Sequence, residues 1–185
     1  MDSEHFLIYG AGGHARVLLD GIRKQFGPGV VHAFFNDGDQ PKEIDGIPVL
    51  AYVSERFPDI PLLLGIGKPD VRERLAERVS HRFGTFIHPL ASVASDAIIG
   101  EGAVVLAGAV VQSGAKVGRH VIINANATVD HDATVEDFVT TYPGVYVGFD
   151  AVVGHGAIVN PNVVIMRFAK VAPHTEIRAG QIIEK

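Results

Sequence analysis

A six-residue period runs through the second half of the chain and constrains its fold more than any other feature. From Val93 onward every sixth residue up to Ile183 is Val or Ile, with Thr141 the single interruption. Four residues after each stands a second, mostly small side chain, as at Ala97, Ala103, Ala109, Val163 and Ala169. Turn formers fall between them, among them Gly102, Gly108, Gly114, Asn126, Asp132, Gly144, Asp150 and Asn162, which tolerate the backbone angles of tight corners. A period of six fits neither a helix at 3.6 nor an alternating strand; it is the signature of a hexapeptide β-helix, with a short strand, a corner and another short strand. With three faces per turn a coil takes about 18 residues, so residues 93–182 make about five coils of a triangular prism whose aliphatic side chains point inward and stack coil on coil. A run of antiparallel strands would need longer strands and leaves the fixed phase unexplained. Parallel crossovers are normally right-handed, so the repeat by itself does not set the hand of the coil.

The first 85 residues carry a different pattern. Phe6 to Tyr9 reads as a buried strand, followed by Gly10-Ala-Gly12-Gly13-His14-Ala15 and a helix with Val17, Leu18, Ile22 and Phe26 on one face, stopped by Gly27-Pro28. A second strand spans Val30 to Phe35 and ends at Asn36-Asp37; a third spans Ile60 to Leu64 and ends at Gly65-Ile66-Gly67; a charged amphipathic helix spans Asp70 to Arg82. This is an α/β unit with a parallel sheet, half of a Rossmann fold. Gly10, Gly12 and Ala15 satisfy the dinucleotide fingerprint formally, but a dinucleotide fold needs two such halves, which disfavours NAD. A mononucleotide diphosphate outside the carboxyl ends of the strands fits better, held by Gly12, Gly13, His14, Asp37 and Gly67; the alternative is that these glycines only make a tight turn.

The expected organisation is therefore two domains, residues 1–85 binding a nucleotide-linked ligand and residues 86–185 forming the β-helix. Sixteen Lys and Arg against twenty-one Asp and Glu give a net charge of −5, with no basic field to bind nucleic acid or an anionic membrane. The chain holds no Cys, which excludes thiolate zinc sites and a Cys acyl-enzyme. Asp2 and Glu4 stand where a signal peptide would be basic, and no apolar run approaches a membrane span, so a cytoplasmic location is expected.

Inward positions of the repeat are aliphatic, so chemistry belongs to its corners. His131 has the phase of an outward corner residue, and the adjacent Asp132 can raise the basicity of its imidazole; a solvated corner histidine is the other reading of the same pair. A metal site is not expected. His120 and His174 share a column but lie three coils, about 14 Å, apart, while His131 and His155 fall on different faces.

The chain resembles the bacterial sugar O-/N-acetyltransferases of the left-handed β-helix superfamily, the group of sialic acid O-acetyltransferases and nucleotide-linked amino-sugar N-acetyltransferases. The residues that carry the resemblance are Tyr9-Gly-Ala-Gly-Gly-His14, Asn36-Asp37, Gly46-Ile-Pro-Val49, Ile66-Gly67 with Arg72, His88-Pro89-x-Ala91, Ile123-Asn124, Val129-Asp-His-Asp132 and Pro143-Gly144. What it implies is a left-handed coil, a homotrimer with active sites between subunits, and acetyl-CoA in the groove between adjacent prisms. It further implies a nucleotide-linked amino sugar held by the N-terminal domain at Gly12, Gly13, His14, Asp37, Ile66 and Gly67, for surface glycan synthesis. His131 is then the general base and Asp132 its orienting carboxylate, with Asn124 and Gly148 toward acetyl-CoA. The residues themselves point to Arg167, with Lys170, as a contact to the CoA phosphates; a solvated basic edge is the other reading. Phe149, Arg167 and Lys185 share His131's column. No metal is implied.

Glu136, Thr140 and Asn160 depart from the family pattern, where Gly, a second His and Gly are usual, and Lys185 precedes the family's closing Gly-x-Pro-Ala-Lys stretch. These departures, expected around the acetyl-CoA groove, leave reduced activity or an altered acyl donor open. Two other readings stand beside N-acetylation: O-acetylation of a sialic-type sugar, and a non-catalytic trimeric binding protein of the same fold.

Overall fold

The computed structural model describes residues 5–38 and 42–184. Asp2, Glu4 and Lys185 lie outside the described residues.

Strand β1 (Phe6–Tyr9) is buried at every position and pairs in parallel with β2 (Val31–Phe35) and with β5 (Leu62–Leu64). Between β1 and β2 runs α1 (Gly13–Phe26), which buries Ala15, Leu18, Leu19 and Ile22 at the i, i+3, i+4, i+7 spacing of one helical face. Val17, expected on that face, is 49% exposed, and Leu19 takes its place. The sheet is not purely parallel: β3 (Glu43–Ile44) and β4 (Ile47–Leu50) form an antiparallel hairpin, and β4 adds itself to β2, giving the order β3-β4-β2-β1-β5. Asp45 and Gly46 turn that hairpin with φ of 49° and 79°. Helix α2 (Pro69–Arg78) ends four residues short of the expected Arg82. Beyond it Val79 and His81 are buried while Ser80 and Arg82 are exposed, and Phe83 bridges in parallel to Leu62. That alternation has the period of a strand and overrides the helical continuation.

From β6 (Phe86–Ile87) to β22 (Ile182–Ile183) the chain is a parallel β-solenoid of two-residue strands in three sheets of six, five and six strands. The pairing register places each strand on the one eighteen residues later, as in Val111 on Val129 and Val147 on Ile165. We call the faces first, second and third after Phe86–Ile87, Ser92–Val93 and Ile98–Ile99, and the edges first, second and third after the corner that follows each face. The two aliphatic phases of the repeat form one continuous core from Ala103 to Ile177. Thr141, the inward exception, satisfies its hydroxyl by donating to the Ile122 carbonyl at 3.2 Å.

A left-handed residue recurs at every sixth position from Gly102 to Gly180. The sequence pattern flags the Gly, Asn and Asp among them but not His120, Phe138, Phe168 and His174, which take φ of 54° to 64° without being turn formers. Each such residue costs about 1–2 kcal/mol; Phe138 offsets this by burial to 5% exposure and by a stack on His120, with centroids 5.1 Å apart.

The α/β unit covers the first face of the solenoid. The cover is complete over its first four strands, where the outward Phe86, Val104, Ile122 and Thr140 are each 1% exposed, and stops before Ile158, half-buried, and Glu176, exposed; Val104 and Leu106 join Phe6, Leu18 and Ile22 in one cluster. Arg72 of α2 fastens the two parts. Its Nε donates to the His120 carbonyl at 3.0 Å, Nη1 to Ile66 at 3.0 Å and Gly67 at 2.7 Å, and Nη2 to Phe138 at 2.6 Å and Val139 at 3.3 Å. Burial lowers its pKa to about 9, so it remains a cation at neutral pH. Among the described residues no helix is long and apolar enough to cross a membrane.

Candidate active site

The second edge of the solenoid carries His131. Its corner turns through Asp132 at φ 59°, and that turn brings the Asp132 Oδ2 to 2.9 Å from His131 Nδ1. Both side chains are open to solvent, at 48% and 60% exposure. Gly114, one coil earlier, is required for this arrangement: a Cβ there would fall on Asp132 Oδ1. The hydrogen bond to Asp132 is the first cause, and the charges of Asp130, Asp132 and Asp150 further ones, of a His131 pKa raised above the ordinary 6.5. With Nδ1–H donating to Asp132, Nε2 is the nitrogen left to accept a proton.

Three neighbours surround His131; the sequence places Phe149 on its column but assigns no role to Asp130 or Tyr146. Asp130 accepts the His131 amide at 2.8 Å through Oδ1 and the Tyr146 hydroxyl at 2.5 Å through Oδ2. Burial alone would raise its pKa, but these bonds and the amide of Phe149 outweigh that and hold it below the usual carboxylate value. Phe149 lies flat beneath the His131 ring, with centroids 5.0 Å apart. Asp130 and Tyr146 are one coil apart in sequence, and only the eighteen-residue register signals their contact.

A second group of candidates gathers at the carboxyl ends of β1, β2 and β5. A Cβ added to Gly12, Gly13 or Gly67 would meet nothing within 4 Å, so these glycines border open space. His14, beside them at the start of α1, has its Nε2 buried with no hydrogen-bond partner, and burial followed by the Arg72 charge lowers its pKa to about 4. The Ile66 and Gly67 carbonyls are fixed by Arg72, and Gly67 also accepts the Thr140 hydroxyl at 2.9 Å. Asp37 is tied rather than loose: it accepts the Tyr9 hydroxyl at 2.7 Å and pairs with Arg78. Burial opposes the ionisation of Asp37, yet those two partners keep its pKa low.

The candidates toward acetyl-CoA do not gather within one chain. Gly148 and Arg167 share the second edge with His131, and the Arg167 guanidinium lies 5.8 Å from the Phe149 ring centroid. A Cβ on Gly148 would stand 2.7 Å from the Arg167 amide, so close stacking of coils demands glycine there. Asn124 instead lies on the first edge, in a cleft of about 210 Å³ with Asp20, Lys24 and His88. Glu136, Thr140 and Asn160, expected around the groove between adjacent prisms, fall within one chain on the third edge, the first face and the first edge. Each has its own partner, respectively the His155 amide at 2.8 Å, the Gly67 carbonyl at 2.9 Å and the Ile177 carbonyl at 2.9 Å. His155 and His174, on successive coils of the third edge, have ring centroids 5.2 Å apart, while His155 Nε2 lies 2.8 Å from Glu73 of α2. Among the described residues no group of three or more His, Cys, Asp or Glu is arranged to hold a metal ion.

His120, 3% exposed and with an unpartnered Nδ1, resembles His14 in that burial lowers its pKa to about 4. Between pH 4 and 6.5 the unfolded chain binds protons at both positions that the folded chain refuses, so stability falls as pH drops through that window. The expected slope is about 1.4 kcal/mol per pH unit for each histidine. Urea unfolding at pH 7.0, 5.5 and 4.5 checks this; a His14→Gln, His120→Asn double variant should show a flatter dependence, and an unchanged slope would refute the assignment.

Residues 5–79 match the PglD N-terminal domain family. The chain is 37% identical over 103 residues to UDP-N-acetylbacillosamine N-acetyltransferase of Bacillus subtilis (strain 168), a match covering 51% of this chain and 48% of that protein, so it spans about half the length of this curated relative. The acetyltransferase domain of PglB from Neisseria gonorrhoeae FA1090, solved in complex with acetyl coenzyme A, superposes with a TM-score of 0.72 at 27% identity, over 97% of this chain and 95% of that one. PerB from Caulobacter crescentus, solved with CoA and GDP-perosamine, superposes at 0.65 with 27% identity, over 97% and 91%.

Proposed function

We propose that this chain, which belongs to the sugar acetyltransferase family of the left-handed β-helix (hexapeptide-repeat) superfamily, transfers an acetyl group from acetyl-CoA to the amine of a nucleotide-linked sugar. The observation that carries this reading is the His131–Asp132 pair, an exposed imidazole whose Nδ1 lies against a carboxylate and whose basicity is raised. As the sugar amine attacks the thioester carbonyl, a C–N bond forms and the amine proton passes to His131 Nε2; the C–S bond then breaks and the imidazolium returns that proton to the departing sulfur, which releases CoA as its thiol and leaves His131 neutral again. Asp132 orients the ring and stabilises the imidazolium.

The glycine-bordered space at Gly12, Gly13 and Gly67, with His14, Asp37 and Ile66, is where the nucleotide-linked sugar would sit, and Gly148, Arg167 and Asn124 would face acetyl-CoA. The sugar site rests on the first face and His131 on the second edge, away from it, while Asn124 stands on the first edge. One chain does not bring these together, and this supports a homotrimer in which each site is completed by a neighbouring copy. A cytoplasmic enzyme with neither a nucleic acid nor a membrane partner accords with the charge balance.

The test is thiol release from acetyl-CoA with UDP-, dTDP- and GDP-linked amino sugars. Turnover with at least one acceptor is expected; a folded oligomer that binds nucleotide yet releases no thiol would defeat the reading. Because deprotonated His131 is the active form, the rate should rise with pH through a midpoint above 6.5. In Asp132→Asn the imidazolium loses its partner, so that midpoint should move to lower pH and kcat fall about tenfold or more. A pH–rate profile of the variant superimposable on that of the parent would refute the role of Asp132.

A further inference from the structure

Residues of equal phase stack on successive coils, and at the second edge this places Phe149 beneath His131. The two ring planes differ by 8° and their centroids by 5.0 Å, close to the spacing of adjacent strands, so the backbone itself imposes the contact. Phe149 is braced in turn: Phe168 meets it edge-on at 4.9 Å, and Arg167 lies over its ring at 5.8 Å. It is half-buried and takes no part in the aliphatic core of the prism.

We propose that Phe149 is the positioning residue of His131, its flat ring preventing the imidazole from turning away from the orientation in which Nδ1 meets Asp132 and Nε2 is left to accept the proton. This inference rests on the reading of His131 as the general base. Asp132 supplies one hydrogen bond, about which the imidazole can still swing; a parallel aromatic surface removes that freedom. The charged and titratable groups around His131 are Asp130, Asp132 and Asp150, with Tyr146 bonded to Asp130 and Arg167 beyond Phe149.

The third edge contains a natural contrast. His120 stacks on Phe138 with the same geometry, centroids 5.1 Å and planes 15° apart, but it is buried and its Nδ1 has no acceptor. An aromatic shelf therefore sets orientation, while exposure and a carboxylate set basicity.

The experiment uses Phe149→Leu, which keeps apolar bulk without a flat face, and Phe149→Tyr, which restores the face. Long-range proton–nitrogen NMR of the histidine side chains in the full oligomer reports the tautomer of His131, with His120 as internal control. Steady-state kinetics report kcat and KM for acetyl-CoA. In Phe149→Leu the His131 signals should show mixed tautomers and kcat should fall about tenfold, with KM within about twofold and His120 unchanged; Phe149→Tyr should recover both readouts. An unchanged His131 tautomer in Phe149→Leu, or a loss that Phe149→Tyr does not recover, overturns the proposal. The NMR readout needs no substrate, so it separates failure of this inference from failure of the acetyltransferase reading.

Discussion

Arg72→Met is expected to destabilise the protein by about 3–5 kcal/mol. Arg72 is 1% exposed, and its donors reach five backbone carbonyls on three segments, Ile66–Gly67 and the solenoid corners at His120 and at Phe138–Val139. Methionine fills much of the volume but donates nothing, so all five carbonyls lose a charged donor; Gly67 retains the Thr140 hydroxyl and Val139 the Ile122 amide, while the His120 and Phe138 carbonyls lose it at buried positions and Ile66 at a half-buried one. Arg72→Lys should recover only part of the loss, because one ammonium cannot span the fork of a guanidinium. Urea unfolding measures the effect, and a loss under about 1 kcal/mol would show that these bonds contribute little beyond what water supplies. The same substitution frees the Ile66–Gly67 loop, so KM for the nucleotide-linked acceptor should rise more than KM for acetyl-CoA.

The second large effect is catalytic. His131→Ala should lower kcat by about 10²- to 10⁴-fold, the usual contribution of a positioned general base, equivalent to about 3–5 kcal/mol of barrier. Both members of the His131–Asp132 pair are exposed, so the thermal midpoint should stay close to that of the parent. Two results separate a base from a binding residue. Loss in kcat with KM little changed marks a group acting in the transition state, whereas a rise in KM alone marks ground-state binding. Retention of the parental pH–rate profile in His131→Ala would assign the proton transfer elsewhere.

The pH behaviour divides along the same structural lines. His131 titrates at the surface and governs rate, while His14 and His120 are held neutral by burial and govern stability at acid pH. Activity lost between pH 7 and 6 is thus expected to return on neutralisation, and unfolding to become prominent only toward pH 4.

The repeat was legible because each of its contacts is a local pattern written many times. An inward Val or Ile meets its own counterpart eighteen residues on, as Val111 meets Val129, so the period alone sets the strands, the core and the outward direction of His131. The strand, glycine loop and helix at the start of the chain were legible for a similar reason, since β1, α1 and β2 are consecutive. Misreadings arose where an element has no period of its own: the two-residue β3, and the end of α2, where burial of Val79 and His81 overrides helical propensity.

What the tertiary structure alone decided is which surfaces meet. The bonds from Arg72 to His120 and Phe138 and from Glu73 to His155 join residues 48, 66 and 82 positions apart. Such contacts depend on how two separately folded patterns dock, and nothing repeats to announce them. Docking on the first face buries Thr140 against Gly67 and leaves His131 on an edge away from the glycine-bordered space. The sequence thus determined the prism, the half-Rossmann unit and the chemistry of the residues at each corner, because those follow from local periodicity and burial. Which corners share a site was decided by packing, where one buried guanidinium and the apolar contact of Val104 and Leu106 with Phe6, Leu18 and Ile22 select a single arrangement from several that local pattern permits.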